Sequence, residues 1–234
     1  MAAFASGASL PLVVDPLDLP PHLAEIAERD FGETPATRAA ALTELRARIA
    51  ALPENDRLDD VSDVNLIRFL RNRKYVMDRT VETTATYARF KREYSHLFDI
   101  TEEEAQVILK SNAWNLVFGG APHYHVTITF IAKRIIHNYT AEFAKAHPDF
   151  IYRTQAWLME RVSREPAVQV CGSASVYSFK DFGLVDKLSL ARVVNMKLER
   201  VLFPFIQNGI GIKIKGIYLA EVPTLVRCLG GPPI

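Results

Sequence analysis

The stretch Asp63-Val-Asn-Leu-Ile-Arg-Phe-Leu-Arg-Asn-Arg-Lys-Tyr75 mixes large apolar residues with arginines and begins with a carboxylate. Asp is favoured at the N-cap of a helix because its side-chain oxygen accepts hydrogen bonds from free backbone N–H groups. Leu66, Ile67 and Leu70 follow at helical spacing, which places them on one face. The stretch therefore predicts a helix that Asp63 caps and that carries an apolar face.

Helices are also predicted on both sides of this stretch. Thr34 and Pro35 are a cap and a first-turn proline, and Pro53 ends the helix that they begin. Asp78 can cap a further helix, and Thr-Glu-Glu-Glu at 101–104 is a capping-box pattern. Side chains suited to burial recur at spacings of three and four: Leu42, Leu45, Ile49 and Leu52 before the stretch, and Thr83, Tyr87, Phe90, Tyr94 and Leu97 after it. Residues 34–110 therefore predict a helical bundle.

The pattern differs on either side of this bundle. The segment 1–33 holds many prolines and small residues, which predicts a loosely structured lead-in. After residue 110, the segment 124–131 alternates apolar and polar side chains, as a half-buried strand does. Helical spacing and strand-forming residues then alternate. Helices are predicted at 148–164 and 189–207. Strands are predicted at 168–179, where Gly172 interrupts the strand, and at 213–220. This alternation predicts an α/β domain with a largely parallel sheet.

Two segments resemble the CRAL-TRIO lipid-binding family. The first motif, residues 63–75, is similar to the hallmark of the family's small N-terminal helical subdomain, an Asp followed by Leu-Leu-Arg-Phe-Leu-Arg-Ala-Arg-Lys-Phe. The second motif, Ile212-Lys-Ile-Lys-Gly-Ile-Tyr-Leu219 with Glu221-Val-Pro223, is similar to the family's strand with Lys-x-Lys/Arg-Gly-Ile-His. In pattern the chain is most similar to the branch of α-tocopherol transfer and retinaldehyde-binding proteins.

The resemblance implies a fold and an expectation about the end of the chain. In this family, helices and a β-sheet floor form an α/β cage around one hydrophobic lipid. The implied domains are an N-terminal helical subdomain at 34–110 and a lipid-cage domain at 111–234. The family continues beyond the second motif into another strand and a mobile gate helix, whereas Leu229-Gly-Gly-Pro-Pro-Ile234 ends this chain. The resemblance therefore predicts an incomplete lipid-binding domain without its last strand and gate helix.

The same resemblance implies the walls of a lipid pocket. A lipid cavity needs apolar walls and a few polar groups. The aligned residues, with Gln155 as the polar anchor, are Tyr152, Gln155, Phe179, Phe205, Ile206 and Ile217. Apolar side chains at helical spacing are also how any core is built. The alternative is therefore that these are ordinary core residues.

The resemblance further implies a basic site for phosphoinositide phosphates at Arg73, Lys213 and Lys215. Residues two apart on a strand point to one side, so the two lysines can act together. Arginine offers a fork that suits phosphate oxygens, and lysine offers a compact charge. The alternative is a set of solvated or salt-bridged charges. Arg68 and Arg71, in contrast, are expected to pair with helix carboxylates or to cover the surface of the helical subdomain.

Charge and cysteine content narrow the partners and the compartment. Lys and Arg number 28 and Asp and Glu 27, so attraction to nucleic acid or anionic membrane is not global, and any anion site is local. Two cysteines, Cys171 and Cys228, allow at most one disulfide bond, which favours a reduced, cytoplasmic protein. No run approaches the about 18 apolar residues of a spanning helix, so membrane association is expected to be peripheral and transient.

Neither a metal site nor a catalytic centre is expected. His123 and His125 could form a two-histidine metal pair, but no suitably spaced Glu or Cys completes it. Ser173 and Ser175 near Gly172 lack the Gly-x-Ser-x-Gly frame of a nucleophile elbow. The sequence therefore favours a non-enzymatic protein without a cofactor, whose ligand is a hydrophobic lipid.

Two functions remain open. The leading hypothesis is a protein that binds a hydrophobic lipid, docks on phosphoinositide-containing membranes and transfers lipid between them. The alternative is a protein-interaction scaffold that binds a small GTPase or a signalling partner without lipid transfer, as relatives with this fold do. An apolar sheet floor exposed by a missing end would suit such a partner-dependent role.

Overall fold

The computed structural model describes residues 15–111, 113–118, 126–131, 149–193 and 195–221, with the single positions 134, 143, 146 and 147. Its helices are α1 (Pro21–Phe31), α2 (Pro35–Ala50), α3 (Asp63–Asn72), α4 (Met77–Glu93), α5 (Glu102–Ser111), α6 (Phe150–Val162), α7 (Pro166–Cys171), α8 (Leu184–Val193) and α9 (Met196–Asn208). Its strands are β1 (Trp114–Phe118), β2 (Val126–Ile131), β3 (Ser173–Ser178) and β4 (Ile214–Ala220). A helical N-terminal part is thus followed by an α/β part, as the sequence predicts.

Capping bonds confirm the predicted starts of α2 and α5. The Thr34 hydroxyl accepts from the Thr37 N–H at 3.2 Å, and the Thr37 hydroxyl accepts from the Thr34 N–H at 2.8 Å. At α5, the Thr101 N–H donates to Glu104 Oε2 at 2.9 Å, and the Glu104 N–H donates to Thr101 Oγ1 at 3.2 Å. These reciprocal bonds satisfy N–H groups that the first turn of a helix leaves free.

The predicted caps of α3 and α4 are wrong by one or two positions. Ser62 caps α3, because its hydroxyl accepts a backbone N–H of the first turn at 3.3 Å. Asp63 is the first residue of α3 and pairs with Arg46 of α2. Asp78 lies within the first turn of α4, and its carboxylate is 2.6 Å from the guanidinium of Arg48 on α2. Both carboxylates therefore join helices to α2.

The four described strands form one sheet in the order β1-β2-β3-β4. Strand β1 pairs antiparallel with β2, whereas β2, β3 and β4 run parallel to one another. Parallel neighbours need crossover connections. Helices α6 and α7 lie in the connection from β2 to β3, and α8 and α9 lie in the connection from β3 to β4. The predicted, largely parallel sheet is confirmed, and β4 is an edge strand of the described sheet.

Two predicted elements of the α/β part differ in the structure. The interval 168–179, predicted as strand, begins within α7 and becomes β3 only after Gly172. Pro166 begins α7, at a position where its missing N–H costs nothing. The interval 189–207, predicted as one helix, contains the end of α8 and most of α9. The break follows from Asn195, which caps α9 by accepting two backbone N–H groups at 3.1 and 3.4 Å.

The hydrophobic core joins the helical part to the α/β part. Phe90 of α4 stacks on Phe205 of α9 with ring centroids 3.8 Å apart and planes 8° from parallel. Both rings belong to a continuous cluster that extends from α2 to the start of β4. A smaller cluster holds α1 against α7. The prediction of a loosely structured segment before residue 34 is therefore wrong for α1, whose apolar residues pack on a distant helix.

Candidate functional site

Arg71 of α3 is fully buried where the helical part meets α7. Its Nε and Nη2 donate to the two carboxylate oxygens of Glu33 at 2.8 and 2.6 Å, and its Nη1 donates to Gln169 Oε1 at 2.7 Å. The side chains of Arg71 and Glu33 are 0% and 2% exposed. Of the two roles expected for Arg71, it takes the pairing with a carboxylate and not the cover of the surface, although Glu33 lies in the link between α1 and α2 and not in a helix.

Arg68, one turn earlier, is also fully buried and connects α3 to α6. Its Nη1 donates to Ser163 Oγ at 2.6 Å and lies 3.2 Å from Glu160 Oε1. Its guanidinium carbon lies 4.6 and 4.8 Å from the ring centroids of Phe69 and Tyr87. Burial raises the pKa of Glu160. The charge of Arg68 and the hydrogen bonds that the Glu160 carboxylate accepts together lower that pKa by more. Arg68 therefore belongs to the junction and not to a surface site.

The first motif ends in a left-handed turn. Lys74 and Tyr75 have φ angles of 51° and 61°. The Tyr75 N–H donates to the Leu70 carbonyl at 2.8 Å, and the Lys74 N–H donates to the Arg71 carbonyl at 3.2 Å. Glycine is usual at the first left-handed position of such a turn, because a Cβ costs about 1–2 kcal/mol there. A lysine at this position lowers stability, which favours a role for its exposed ammonium group.

The second motif places two lysines beside Gly172. Lys213 precedes β4 and is half-buried, whereas Lys215 lies within β4 and is exposed. A Cβ on Gly172 would lie 3.2 Å from Cγ and Cε of Lys215 and 2.7 Å from the Lys213 carbonyl oxygen. Gly172 also has a φ of 83°, which disfavours other residues. The glycine therefore allows this end of β4 to approach the end of α7.

Lys74, Lys213 and Lys215 together form what we call the lysine cluster. The pKa of Lys213 is lowered, first by burial and then by the positive charges of Lys215 and Lys74. Like charges held close together repel one another, and a bound anion would relieve that repulsion. The structure therefore brings together two of the three predicted phosphate ligands, Lys213 and Lys215. Sequence reasoning missed Lys74, although it is the next residue after the predicted Arg73.

Arg73, the third predicted phosphate ligand, has protein partners. Its Nε donates to Thr83 Oγ1 on α4 at 2.6 Å, and its Nη2 donates to the carbonyl oxygen of Asn208 at 3.1 Å. Burial lowers the pKa of Arg73. These bonds connect the end of α3 to α4 and to the end of α9. Lys74, in contrast, acts on the pKa of Lys213 through its charge. A phosphate contact of Arg73 stays a prediction.

The predicted lipid-pocket residues fall into a buried group and a more accessible group. The buried group is Tyr152, Phe205 and Ile206, with exposed fractions of 2%, 2% and 7%. The accessible group is Gln155 and Phe179, which are half-buried, and Ile217, which is 45% exposed. The buried positions agree with the alternative of ordinary core residues. Contact of either group with a lipid stays a prediction.

Tyr152 and Phe205 hold α9 in place. The Tyr152 hydroxyl accepts the backbone N–H of Asn195 at 2.6 Å, at the start of α9. Burial raises the pKa of Tyr152 to about 12, so the hydroxyl is neutral at physiological pH. Phe205, besides stacking on Phe90, meets the ring of Phe98 edge-on at 5.9 Å. Tyr152 therefore joins α6 to the start of α9, and Phe205 joins α9 to α4 and to Phe98.

Large apolar side chains are exposed on three neighbouring parts of the chain. On β4 they are Ile217, Tyr218 and Leu219, which are 45%, 59% and 58% exposed. On α8 and α9 they are Leu184, Val185, Leu188, Met196 and Phe203, which are 69%, 75%, 56%, 60% and 47% exposed. Exposed apolar patches mark surfaces that meet lipids, membranes or proteins. Sequence reasoning identified only Ile217 of this set, because periodicity does not tell an exposed apolar face from a buried one.

The cysteines, the residues that could bind a metal and the helices that could cross a membrane are also relevant to the sequence predictions. Cys171 is a free, half-buried thiol whose pKa is raised by burial, and Cys228 lies outside the described residues. No group of three or more His, Cys, Asp or Glu among the described residues could hold a metal ion. His123 and His125 lie outside that part of the chain. Within the described residues, no helix has the length and apolar character needed to cross a membrane.

Comparisons with known proteins give a structural likeness but no family match. No protein-family model matches the chain. Among solved structures, the crystal structure of Sfh5 is similar with a TM-score of 0.48 and 11% sequence identity. The aligned region covers 88% of this chain and 74% of the Sfh5 chain. No ligand, partner or activity follows from a likeness of this degree.

Proposed function

We propose that the chain is a non-enzymatic, CRAL-TRIO-like protein that binds a hydrophobic lipid and docks on phosphoinositide-containing membranes. The proposal is carried by the meeting of the two motifs, which lie far apart in the sequence. A Cβ on Gly211, directly before the second motif, would lie 3.3 Å from the ring of Phe69 in the first. Lys74 of the first motif acts electrostatically on Lys213 of the second. The two motifs thus each contribute lysines to one cluster, which supports a basic site of the kind that the resemblance implies, with Lys74 where the resemblance implies Arg73.

The lysine cluster supports the membrane part of the proposal. Phosphoinositide phosphates carry several negative charges and accept hydrogen bonds from ammonium donors, and such charge-assisted bonds are the strong ones. The net charge of the whole chain is only +1, so attraction to such a headgroup comes from this local cluster. Salt is expected to weaken it, because exposed charges are screened beyond about 8 Å at physiological ionic strength.

The exposed apolar side chains support the lipid part of the proposal. Ile217 and Leu219 lie two apart on β4 and therefore face the same side of the sheet. Apolar burial contributes about 25 cal/mol per Å². Covering such residues with a hydrocarbon chain therefore supplies affinity without directional bonds. Gln155, half-buried on α6, is the proposed polar anchor.

The outer face of α9 supports a second contact with a bilayer. Met196 and Phe203 are 60% and 47% exposed and, seven residues apart, lie on one face of the helix. Lys197 and Arg200 are exposed beside them. Apolar side chains flanked by basic ones are typical of helices that lie on anionic bilayers. We propose that this face meets the membrane while the lysine cluster binds a headgroup.

Vesicle sedimentation and native mass spectrometry test the proposal. The protein is mixed with phosphatidylcholine vesicles, with or without phosphatidylinositol bisphosphate, at about 0.15 M salt. We expect sedimentation only with the phosphoinositide, and its loss in the double variant Lys213→Gln/Lys215→Gln. Lys110→Gln, an exposed lysine of α5, is the matched control. A wild-type protein that carries no lipid in native mass spectrometry and does not sediment would overturn the proposal.

The exposed residues of α8 favour a second candidate, a scaffold for a small GTPase or a signalling protein. Leu184 and Leu188 are one turn apart and are 69% and 56% exposed. Apolar residues in an exposed helical row are how one helix enters the groove of a partner. Pulldown of a stoichiometric protein partner without lipid, abolished by Leu184→Ser/Leu188→Ser, would favour this candidate over lipid binding.

A further inference from the structure

The last turn of α1 lies next to the lysine cluster. The pKa of Asp30 is lowered, first by its hydrogen bond from Arg29 at 2.8 Å and then also by the charges of Lys213 and Lys74. The ring centroid of Phe31 lies 5.9 Å from Lys213 Nζ. Helix α1 therefore places an aromatic ring close to the cations that a phosphate group would bind, and on the same turn an acidic residue whose direct ion pair is with Arg29.

Helix α1 is held in place by a small contact. Leu23 and Ala27 pack against Val170 of α7 in a cluster that is separate from the main core. Partly buried residues line the edge of this contact: Leu19, Ile26, Phe31, Ala167 and Cys171. Elements with few buried apolar contacts open at a lower free energy than the whole domain unfolds. We therefore expect α1 to leave α7 at a lower free energy than unfolding of the main core, with Leu17, which precedes α1 and packs against that core, as its N-terminal attachment.

The residues after α1 provide a hinge and an anchor. Gly32 has a φ of 70°, and a Cβ at this position would meet no atom within 4 Å apart from its chain neighbours. Glu33 is 6% exposed and is fixed by Arg71 at 2.6 Å. Rotation of α1 about Gly32 would therefore leave the junction between Glu33 and Arg71 intact.

We propose that the last turn of α1 is an autoinhibitory cover of the lysine cluster, which polyanionic phosphate groups displace. The inference rests on the proposed function, since it concerns the regulation of the same anion site. Without ligand, the Asp30 carboxylate neutralises part of the positive charge. A phosphate group carries more negative charge and replaces it. Occupancy of the cluster and docking of α1 on α7 therefore oppose each other, with one coupling free energy for both directions.

Variants of the full chain test the cover. Asp30→Asn removes the competing charge at an exposed position, and Leu23→Asp undocks α1, with folding checked by circular dichroism. Glu25→Gln, an exposed acid on the same helix, is the matched control. We expect Asp30→Asn to strengthen binding about two- to fivefold, the range of one exposed charge interaction, because Asp30 acts on the lysines through space and pairs directly with Arg29. Leu23→Asp should strengthen it further, and Glu25→Gln should leave it unchanged.

Two binding assays identify the source of the phosphate. One uses phosphatidylcholine vesicles that contain phosphatidylinositol bisphosphate, and the other titrates soluble inositol trisphosphate. Stronger binding of Asp30→Asn in either assay supports the cover. If it appears only with vesicles, the displacing group is a lipid headgroup, and if it appears in both, a free phosphate compound displaces α1 as well.

Hydrogen exchange of the wild-type protein gives a readout that needs no substitution. We expect residues 21–31 to exchange faster when phosphoinositide vesicles are bound, and at an unchanged rate with phosphatidylcholine vesicles alone. Wild-type binding without faster exchange, or equal affinities of wild type and Asp30→Asn, would overturn the cover and leave the proposed function standing. Failure of wild type, Asp30→Asn and Leu23→Asp to bind in both assays would overturn the proposed function itself.

Discussion

The cations of the first motif lie in two regions of the molecule with opposite surroundings. At the junction of α3 with α6 and α7, Arg68 and Arg71 are fully buried and face the carboxylates of Glu160 and Glu33. At the lysine cluster, Lys74 is exposed, and the charges acting on Lys213 are chiefly those of Lys215 and Lys74, with the Asp30 carboxylate as a weaker opposite charge. A buried charge is tolerated only with a partner of opposite charge. An exposed cluster of mainly one sign stays solvated and remains available to a diffusible ligand of opposite charge. Burial and pairing thus distinguish cations that hold the fold from cations available to a ligand.

Removal of Arg71 should produce the largest effect. Arg71→Ala removes the two closest donors of the buried Glu33 carboxylate and leaves only Arg38, 3.4 Å away, as a cationic partner. We expect the free energy of unfolding to fall by about 3 kcal/mol. Arg79→Ala, an exposed arginine on α4, should stay within about 0.5 kcal/mol. Urea denaturation measures both. Equal, small losses in the two variants would contradict the distinction between the regions.

The substitution Glu160→Gln, at the carboxylate that pairs with Arg68, should make the free energy of unfolding less dependent on pH. Burial raises the pKa of Glu160, but the charges of Arg68 and Arg164 and the hydrogen bonds from Arg68 and Tyr87 together lower it by more, so the folded pKa lies below its ordinary value of 4.5. The carboxylate therefore stabilises the fold above about pH 4.5, and this contribution disappears as pH falls through the folded pKa. We expect Glu160→Gln to cost about 2 kcal/mol at pH 7, with little further loss at lower pH.

Urea denaturation at a series of pH values measures this effect. The free energies of unfolding of wild type and Glu160→Gln should converge as the solution becomes acidic, because the wild-type carboxyl then takes up its proton. A constant difference at all pH values would mean that the substitution acts through packing and not through the charge of Glu160.

At Lys74 of the lysine cluster, we expect a gain in the free energy of unfolding to be accompanied by a loss of phosphoinositide binding. Lys74→Gly removes the strain of a left-handed lysine, so the free energy of unfolding should rise by about 1 kcal/mol. The same change should weaken binding to phosphoinositide vesicles about three- to tenfold, the effect of one charge-assisted hydrogen bond. Lys74→Arg keeps the charge and should keep the affinity without the gain in stability. Undiminished binding of Lys74→Gly would remove Lys74 from the site.

The sequence predicts the buried faces of helices, which depend on apolar spacing, better than it predicts helix caps, which compete with partners far away in the chain. The faces of α2 and α4 were predictable because Leu42, Leu45 and Tyr87 recur with the helical period and are buried for that reason. The caps proposed at Asp63 and Asp78 failed because each carboxylate meets an arginine of α2, which no local pattern reveals. Competition between a local and a long-range partner is decided only in the folded chain.

The site shows the same limit. Lys213 and Lys215 were predictable as a pair because they lie two residues apart at the predicted strand, although β4 begins at Ile214 and contains only Lys215. Lys74 was not, because its place beside them depends on a left-handed turn at a residue that is not glycine. Asp30 was not either, since α1 packs on α7 only through contacts between residues far apart in the chain. Charges that share a strand can be grouped from the sequence, and charges joined by tertiary packing cannot.

The smallest effect on stability is expected at β4, where lipid binding can be separated from folding. Ile217 is 45% exposed, so Ile217→Ser should change the free energy of unfolding by no more than about 0.5 kcal/mol. Phe205 is 2% exposed, and Phe205→Ala should cost about 3–5 kcal/mol, which would confuse loss of lipid with loss of fold.

Native mass spectrometry of Ile217→Ser is therefore the cleaner test of the proposed pocket. We expect less retained lipid than in wild type, because a hydroxyl in place of the isoleucine side chain removes apolar surface that a hydrocarbon chain would cover. Val64→Ser, at an apolar residue of α3 that is 40% exposed, is the matched control and should retain lipid fully. If Ile217→Ser retained as much lipid as Val64→Ser, the exposed face of β4 would not be a wall of the pocket, and among the exposed apolar surfaces those of α8 and α9 would remain.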